Sequence, residues 1–354
     1  MIPISIPHLY KEDKKLAIEA IKKGYISQGK NIKLFEEKMA DYCGRKYGVS
    51  CSNGTTALYL AIKSLNLPKG SEIIIPSLTI ISCLTAVLEN GLKPVFCDSD
   101  LKTWNLCFSS LKNKITDKTS AIMVVDMYGL MVDSHQLQNF RLEFPEIKII
   151  EDASEAHGSE SNNKKAGSLG NVSTFSFYSN KIVTTGEGGM ILTDDKKIYE
   201  RLCALRNLNF IDRKKYIHSD TSFNFRLSNI HCSLGLGQIK NIKKTLKARK
   251  RIADRYRKNL EGNKNIQLPL DKNNVYWYFA ILIKEKKDLL IKKLIDNNVD
   301  YRHLFHPLHK QPFIKEQQSL PNCEFLYEKG IILPTYTKLK NKKIDFICDL
   351  INET

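Results

Sequence analysis

The feature that most constrains this chain is a series of short apolar runs, each closed by polar or turn-forming residues and separated by segments of helical periodicity. The runs cover 72–76, 94–98, 121–126, 147–152, 174–177 and 188–194. They are too short for buried helices and rich in β-branched residues, so they read as strands. Helices fit at 55–65, 80–90, 108–113, 134–142 and 196–206. Strands alternating with helices predict an α/β fold whose mainly parallel sheet is covered on both faces. After about residue 230 the pattern changes. A lysine-rich helical stretch covers 230–261, YWYFAILI reads as a strand, DLLIKKLIDNN as a helix, and 342–353 as a last helix. With 354 residues, more than one average domain, this suggests a large domain over 1–245 and a smaller α/β domain over 246–354.

Composition narrows the partners. No apolar run approaches the roughly 20 residues of a membrane span, and the first residues lack a basic-then-apolar leader pattern. The expectation is a cytoplasmic protein with no membrane partner. Nine cysteines are scattered without a CxxC pair, which fits free thiols better than a disulfide frame or a zinc site. The net charge of +17 comes mostly from lysine in helical stretches such as 238–251 and 284–293, without interleaved aromatics. No nucleic-acid partner is therefore expected. A positive field does suit an anionic small-molecule substrate.

Four segments carry chemistry. In Ser52-Asn53-Gly54-Thr55-Thr56 a glycine and hydroxyls stand directly before a helix, which makes either an anion site or an ordinary N-cap. Glu151 and Asp152 close an apolar strand, where ligands of open α/β sheets gather. Asp152 could meet a positive ligand nitrogen or cap the next helix, and Glu151 should face the other side. In Thr174–Lys181 a strand delivers Ser176 and a turn delivers Lys181. A surface lysine is the ordinary reading, but an apolar, aromatic approach favours a desolvated amine able to form a Schiff base. Gly186, Gly188 and Gly189 mark a tight turn that returns the chain to the sheet. Together, an anion cradle, an acid and a lysine at element ends suit pyridoxal phosphate.

The runs SNGTTALYLAI, IIIPSLT, PVFCDSD, EDASEAHGS, TFSFYSNKIVTTGEGGMILTDD and NFRLSNIHCSLGLGQI resemble the sugar aminotransferases of the DegT/DnrJ/EryC1/StrS family. The likeness is strong over about 5–260 and weaker beyond, and is nearest to the perosamine-synthase-like members. It implies a type I aminotransferase fold, pyridoxal phosphate, and a homodimer with active sites at the interface. By motif position Lys181 would hold the cofactor, Asp152 would pair with its ring nitrogen, and Gly54, Thr55 and Ser176 would hold its phosphate. Asn224 would reach the neighbouring subunit's phosphate, and Glu155 would lie near the ring edge. Ile80 takes a position where relatives often carry a stacking aromatic residue, so weaker cofactor retention is expected. A dehydratase branch has histidine at the lysine position, so Lys181 favours amino transfer.

The resemblance further implies transfer from an amino acid, L-glutamate in the family, to a GDP- or UDP-linked 4-keto-6-deoxyhexose. A small phosphorylated ketone is the alternative acceptor. A cofactor-bound regulator without turnover is a second alternative, although no segment is long enough for an added DNA-binding unit. Ser27, Gln28, Lys30, Arg226 and His306 are candidate substrate contacts. His157 is an acid–base candidate by type. His303, His306 and His309 lack an adjacent carboxylate or cysteine motif, so no metal is expected and a loop near the substrate mouth is the reading.

Overall fold

The computed structural model describes residues 1–211, 214–218, 220–316 and 318–354. The apolar runs form the strands of one seven-stranded sheet: β1 (Tyr47–Cys51), β2 (Glu72–Pro76), β3 (Lys93–Cys97), β4 (Thr119–Val125), β5 (Lys148–Asp152), β6 (Val172–Ser176) and β7 (Gly189–Thr193). Their spatial order is β1-β7-β6-β5-β4-β2-β3. The pairs from β3 across to β6 are parallel, while β7 runs antiparallel to both β6 and β1. The reversal has a local cause. β6 and β7 are joined by a loop, not by a crossover helix, and a direct return can only pair antiparallel.

Helices α1 (Lys11–Lys22), α2 (Lys30–Cys43), α3 (Gly54–Ser64), α4 (Ile81–Glu89), α5 (Phe108–Lys112), α6 (Ser134–Glu143) and α7 (Lys196–Arg206) accompany this sheet. The central strands are apolar on both sides because both faces are covered; Ile73, Ile74 and Ile75 are all fully buried. The α/β fold with a large, mostly parallel sheet is thus as the periodicity implies. β1 was not evident, because YGVSC carries too little apolar signal.

Helix α8 (Asn229–Leu260) is capped by Ser228, whose hydroxyl accepts the His231 amide. Its first half puts Cys232 and Ile242 into the main core. Its second half puts Ile252, Ala253, Tyr256 and Leu260 into a second core. That core lies on an antiparallel sheet of β8 (Ile266–Gln267), β9 (Phe279–Ile283), β10 (Arg302–His303) and β11 (Gly330–Leu333), ordered β8-β9-β11-β10. Helices α9 (Lys287–Asp296), α10 (Pro321–Lys329) and α11 (Asn341–Asn352) follow. The two cores meet along α8, and on that basis we propose a large and a small domain divided at 245/246.

Only the end of YWYFAILI joins the ladder. Tyr276 has φ +51°, and the Trp277 indole N–H donates to the Asn180 carbonyl at 3.0 Å. The segment before β9 is therefore drawn to the Lys181 turn of the large sheet. Among the described residues, no helix is long and apolar enough to cross a membrane.

Candidate active site

The chemistry-bearing segments converge at the carboxyl ends of β1, β5 and β6, where an open α/β sheet leaves room for a ligand. A cavity of about 420 Å³ opens there, lined among others by Gly54, Thr55, Ile80, Asp152, Glu155, Ser176 and Lys181. Trp277 and Phe305 complete it from the C-terminal part of the chain.

The anion cradle is built by the start of α3. Asn53 accepts the Thr56 amide at 2.9 Å through its side chain and the Ala57 amide at 3.0 Å through its carbonyl. The amides of Gly54 and Thr55 are left to face an anion at the positive end of the helix. Gly54 is required by close approach, since a Cβ there would lie 2.8 Å from the Ser176 Cβ. Thr55 Oγ1 is 2.8 Å from Ser82 Oγ. The glycine turn has its reason here too: a Cβ on Gly189 would lie 2.2 Å from the Asn53 carbonyl oxygen. β7 can thus pass against the cap of α3.

Asp152 ends β5 buried at 2% exposure. Its Oδ1 accepts the Ser154 amide at 3.1 Å, and the Cys83 thiol lies 3.5 Å from its Oδ2. Burial and then the Asp152 charge push the Cys83 thiol well above its ordinary value, so it stays protonated and donates. Alternation along the strand sends Glu151 the other way, as expected. It accepts the amides of Gly167 and Leu169 and the Ser173 hydroxyl, at 2.8, 2.8 and 2.7 Å.

Lys181 sits in a turn closed by its own amide on the Tyr178 carbonyl at 2.9 Å. Its Nζ is 3.8 Å from Glu155 Oε1 and 3.6 Å from the centre of the Trp277 ring. Burial lowers its pKa, against the pull of Glu155 and Asp152. Burial also raises the Glu155 carboxyl to about 7, opposed by Lys181 and by the Tyr128 amide that Glu155 accepts at 2.8 Å. Burial thus works against the charge on both members of the pair, and their mutual attraction works for it.

His157 is enclosed by Phe175 and Phe177, with ring centres at 4.9 and 5.7 Å. Burial, and then Lys181, hold it down to about 3. It is neutral at physiological pH and does not line the cavity. Ile80 lines the cavity from the N-cap of α4.

The other candidates lie outside this cavity in a single chain. Asn224 is exposed and pairs by backbone with Asn207, whose side chain accepts from Arg226 at 2.8 Å. Ser27, Gln28 and Lys30 are exposed beside the start of α8, where the Ser27 carbonyl accepts the Asn229 amide. His306 is exposed and packs edge-on against Tyr327. His309, in contrast, is buried between Ser77 and Glu324 and not at a mouth. No group of three potential metal ligands occurs among the described residues. Cys83, Tyr128, Trp277 and Phe305 were missed at the sequence level, because each reaches the site through long-range packing that no local motif signals.

A helix start with two free amides, two hydroxyls, a buried acid and a desolvated lysine around 420 Å³ fit a phosphorylated aromatic aldehyde with a basic ring nitrogen. Comparison with known proteins agrees. The model of the DegT/DnrJ/EryC1/StrS aminotransferase family matches residues 7–352. The chain is 36% identical to the GDP-perosamine synthase of Escherichia coli O157:H7, covering 99% of this chain and 98% of that protein. It is 32% identical to the dTDP-3-amino-3,6-dideoxy-alpha-D-galactopyranose transaminase of Aneurinibacillus thermoaerophilus, over 97% and 95%. Among solved structures, Helicobacter pylori PseC, an aminotransferase involved in the biosynthesis of pseudoaminic acid, superposes with a TM-score of 0.95 at 26% identity, covering 99% and 98%.

Proposed function

The chain belongs to the DegT/DnrJ/EryC1/StrS aminotransferase family, and from that premise we propose that it moves an amino group from L-glutamate to the C4 keto group of a GDP- or UDP-linked 4-keto-6-deoxyhexose. The observation that carries this reading is the meeting of Lys181, Asp152 and the α3 start in one cavity. The three GDP-perosamine synthases similar over 99% of the chain, at 36, 34 and 32% identity, support the GDP-linked sugar.

Pyridoxal phosphate, bound in this cavity, would supply an aldehyde for the amino group and a ring that accepts the electrons of the adjacent carbon. The amides of Gly54 and Thr55, with the hydroxyls of Thr55 and Ser176, would hold the phosphate. Asp152, oriented by Ser154 and Cys83, would keep the ring nitrogen protonated. Ile80 and Glu155 would bound the ring face and edge. Lys181 would hold the cofactor at rest and, once released, carry a proton between donor carbon and cofactor. Trp277 and Phe305 would wall the cavity on the side of that transfer.

We extend the proposal to a homodimer in which Asn224 and Arg226 serve the neighbouring chain's cavity. Their position outside their own cavity supports this. Ser27, Gln28, Lys30 and His306 are proposed contacts of the acceptor on the same grounds of exposure.

The test is a panel of GDP-, UDP- and dTDP-linked 4-keto-6-deoxysugars and triose phosphate ketones, offered with L-glutamate to the cofactor-loaded protein. Amination of a nucleotide-linked sugar is expected. Turnover of the phosphorylated ketone alone would overturn the assignment.

A further inference from the structure

Trp277 is fixed from several sides. Its indole N–H donates to the Asn180 carbonyl at 3.0 Å, one residue before Lys181. Its own carbonyl accepts from Arg249 at 3.2 Å. Behind it the Tyr128 ring lies parallel at 10°, with Phe305 stacked on Tyr128 at 9°. The indole is 5% exposed, so its orientation is set by the packing of the C-terminal part of the chain against the large sheet. One face carries the Lys181 amine at 3.6 Å from the ring centre. Glu155 Oε1 stands 3.8 Å from that amine, held in turn by the Tyr128 amide.

A buried ammonium needs compensation. An aromatic face supplies part of it through its quadrupole, and most effectively when water is excluded, with Trp the best of the three rings. Resting on the reading of Lys181 as the cofactor lysine, we propose that Trp277 is a positioning residue that, with Glu155, seats the Lys181 amine whenever that amine is free. The seat keeps the amine within the cavity during the half of the cycle in which the lysine is not attached to the cofactor. It holds the amine close to the reacting carbon and prevents it from swinging toward solvent. Glu155, Asp152 and Cys83 are the titratable groups that act on the amine, with His157 neutral behind it. Beside these groups, the indole face 3.6 Å away is an uncharged contribution to its protonation.

The test uses cofactor-free, full-length protein. Lys181 reactivity toward acetic anhydride is followed against pH by peptide mass spectrometry in wild type, Trp277→Phe and Trp277→Met. The Met variant should lower the apparent pKa of Lys181 by about one unit, and the Phe variant by less. As a second measurement on a chain with Trp277 intact, Trp104→Phe leaves Trp277 as the sole indole. Its emission should step at the same pH as the labelling, and the step should vanish in Lys181→Met. An unchanged pKa in Trp277→Met, or, where that variant does not fold, a pH-independent emission, overturns the seat. No substrate is involved, so failure of amino transfer leaves these readings standing, and intact amino transfer does not rescue the seat.

Discussion

Ser77 and His309, 232 residues apart, meet with Oγ 2.6 Å from Nδ1. The other ring nitrogen lies 3.1 Å from Glu324 Oε1. Ser77 Oγ accepts the His309 amide and the Ser77 carbonyl accepts the Leu308 amide. An ionised Glu324 can only accept, so Nε2–H donates to it and Nδ1 accepts from the Ser77 hydroxyl. Ser77 follows β2, so this chain of bonds pins the segment that carries Phe305 to the sheet end beside the cavity. His309→Ala leaves the Ser77 hydroxyl proton buried without its acceptor. It should cost about 2–4 kcal/mol in chemical denaturation and raise the KM for the acceptor more than it lowers kcat. His309→Asn retains an acceptor for Ser77 and should lose less on both counts.

Gly54→Ala tests the cradle. Its added Cβ would lie 2.8 Å from the Ser176 Cβ, between two groups assigned to the phosphate. A displacement of a few tenths of an ångström there should raise the Kd for pyridoxal phosphate at least tenfold, read by fluorescence titration of cofactor-free protein. An unchanged Kd would move the phosphate elsewhere.

Ile80→Phe tests the opposite change. An aromatic face at this wall should add about 0.5–1.5 kcal/mol to cofactor binding, seen as a 2- to 10-fold slower loss of cofactor on dialysis. No change would mean that Ile80, which is 39% exposed, does not cover the ring.

Glu155 sets a pH dependence. Burial raises its carboxyl from 4.5 to about 7. A raised folded-state value means that the stability it contributes is complete below about 4.5 and is lost as pH climbs through about 7. Glu155→Gln should therefore flatten the stability profile between those limits. Urea denaturation at pH 5, 6, 7 and 8 measures this. Equal profiles for the two proteins would show that the carboxyl does not titrate there.

The sequence makes part of this fold and site legible, for physical reasons. Runs such as 72–76 were legible because strands buried on both faces are continuously apolar, and Lys181 and Asp152 because the turns that present them leave local glycine and acid signals. The reversed direction of β7 was not legible; it follows from the path of the Lys181 loop, which no periodicity encodes. Nor was the role of Trp277, since YWY is apolar enough to pass for strand and only Asn180, 97 residues away, draws it to the lysine. His309 looked like part of a surface histidine group, and only packing against Ser77 distinguishes it from exposed His303 and His306.

The central claim is that Lys181 carries amino transfer to a nucleotide-linked keto sugar. Protein loaded with pyridoxal phosphate is given ¹⁵N-labelled L-glutamate and GDP-4-keto-6-deoxymannose, and the nucleotide sugar is analysed by mass spectrometry. Wild type should yield the labelled amino sugar over many turnovers, and a folded Lys181→Met variant should yield none. Multiple turnovers by the variant, or no labelled amino sugar from the wild type, would contradict the account.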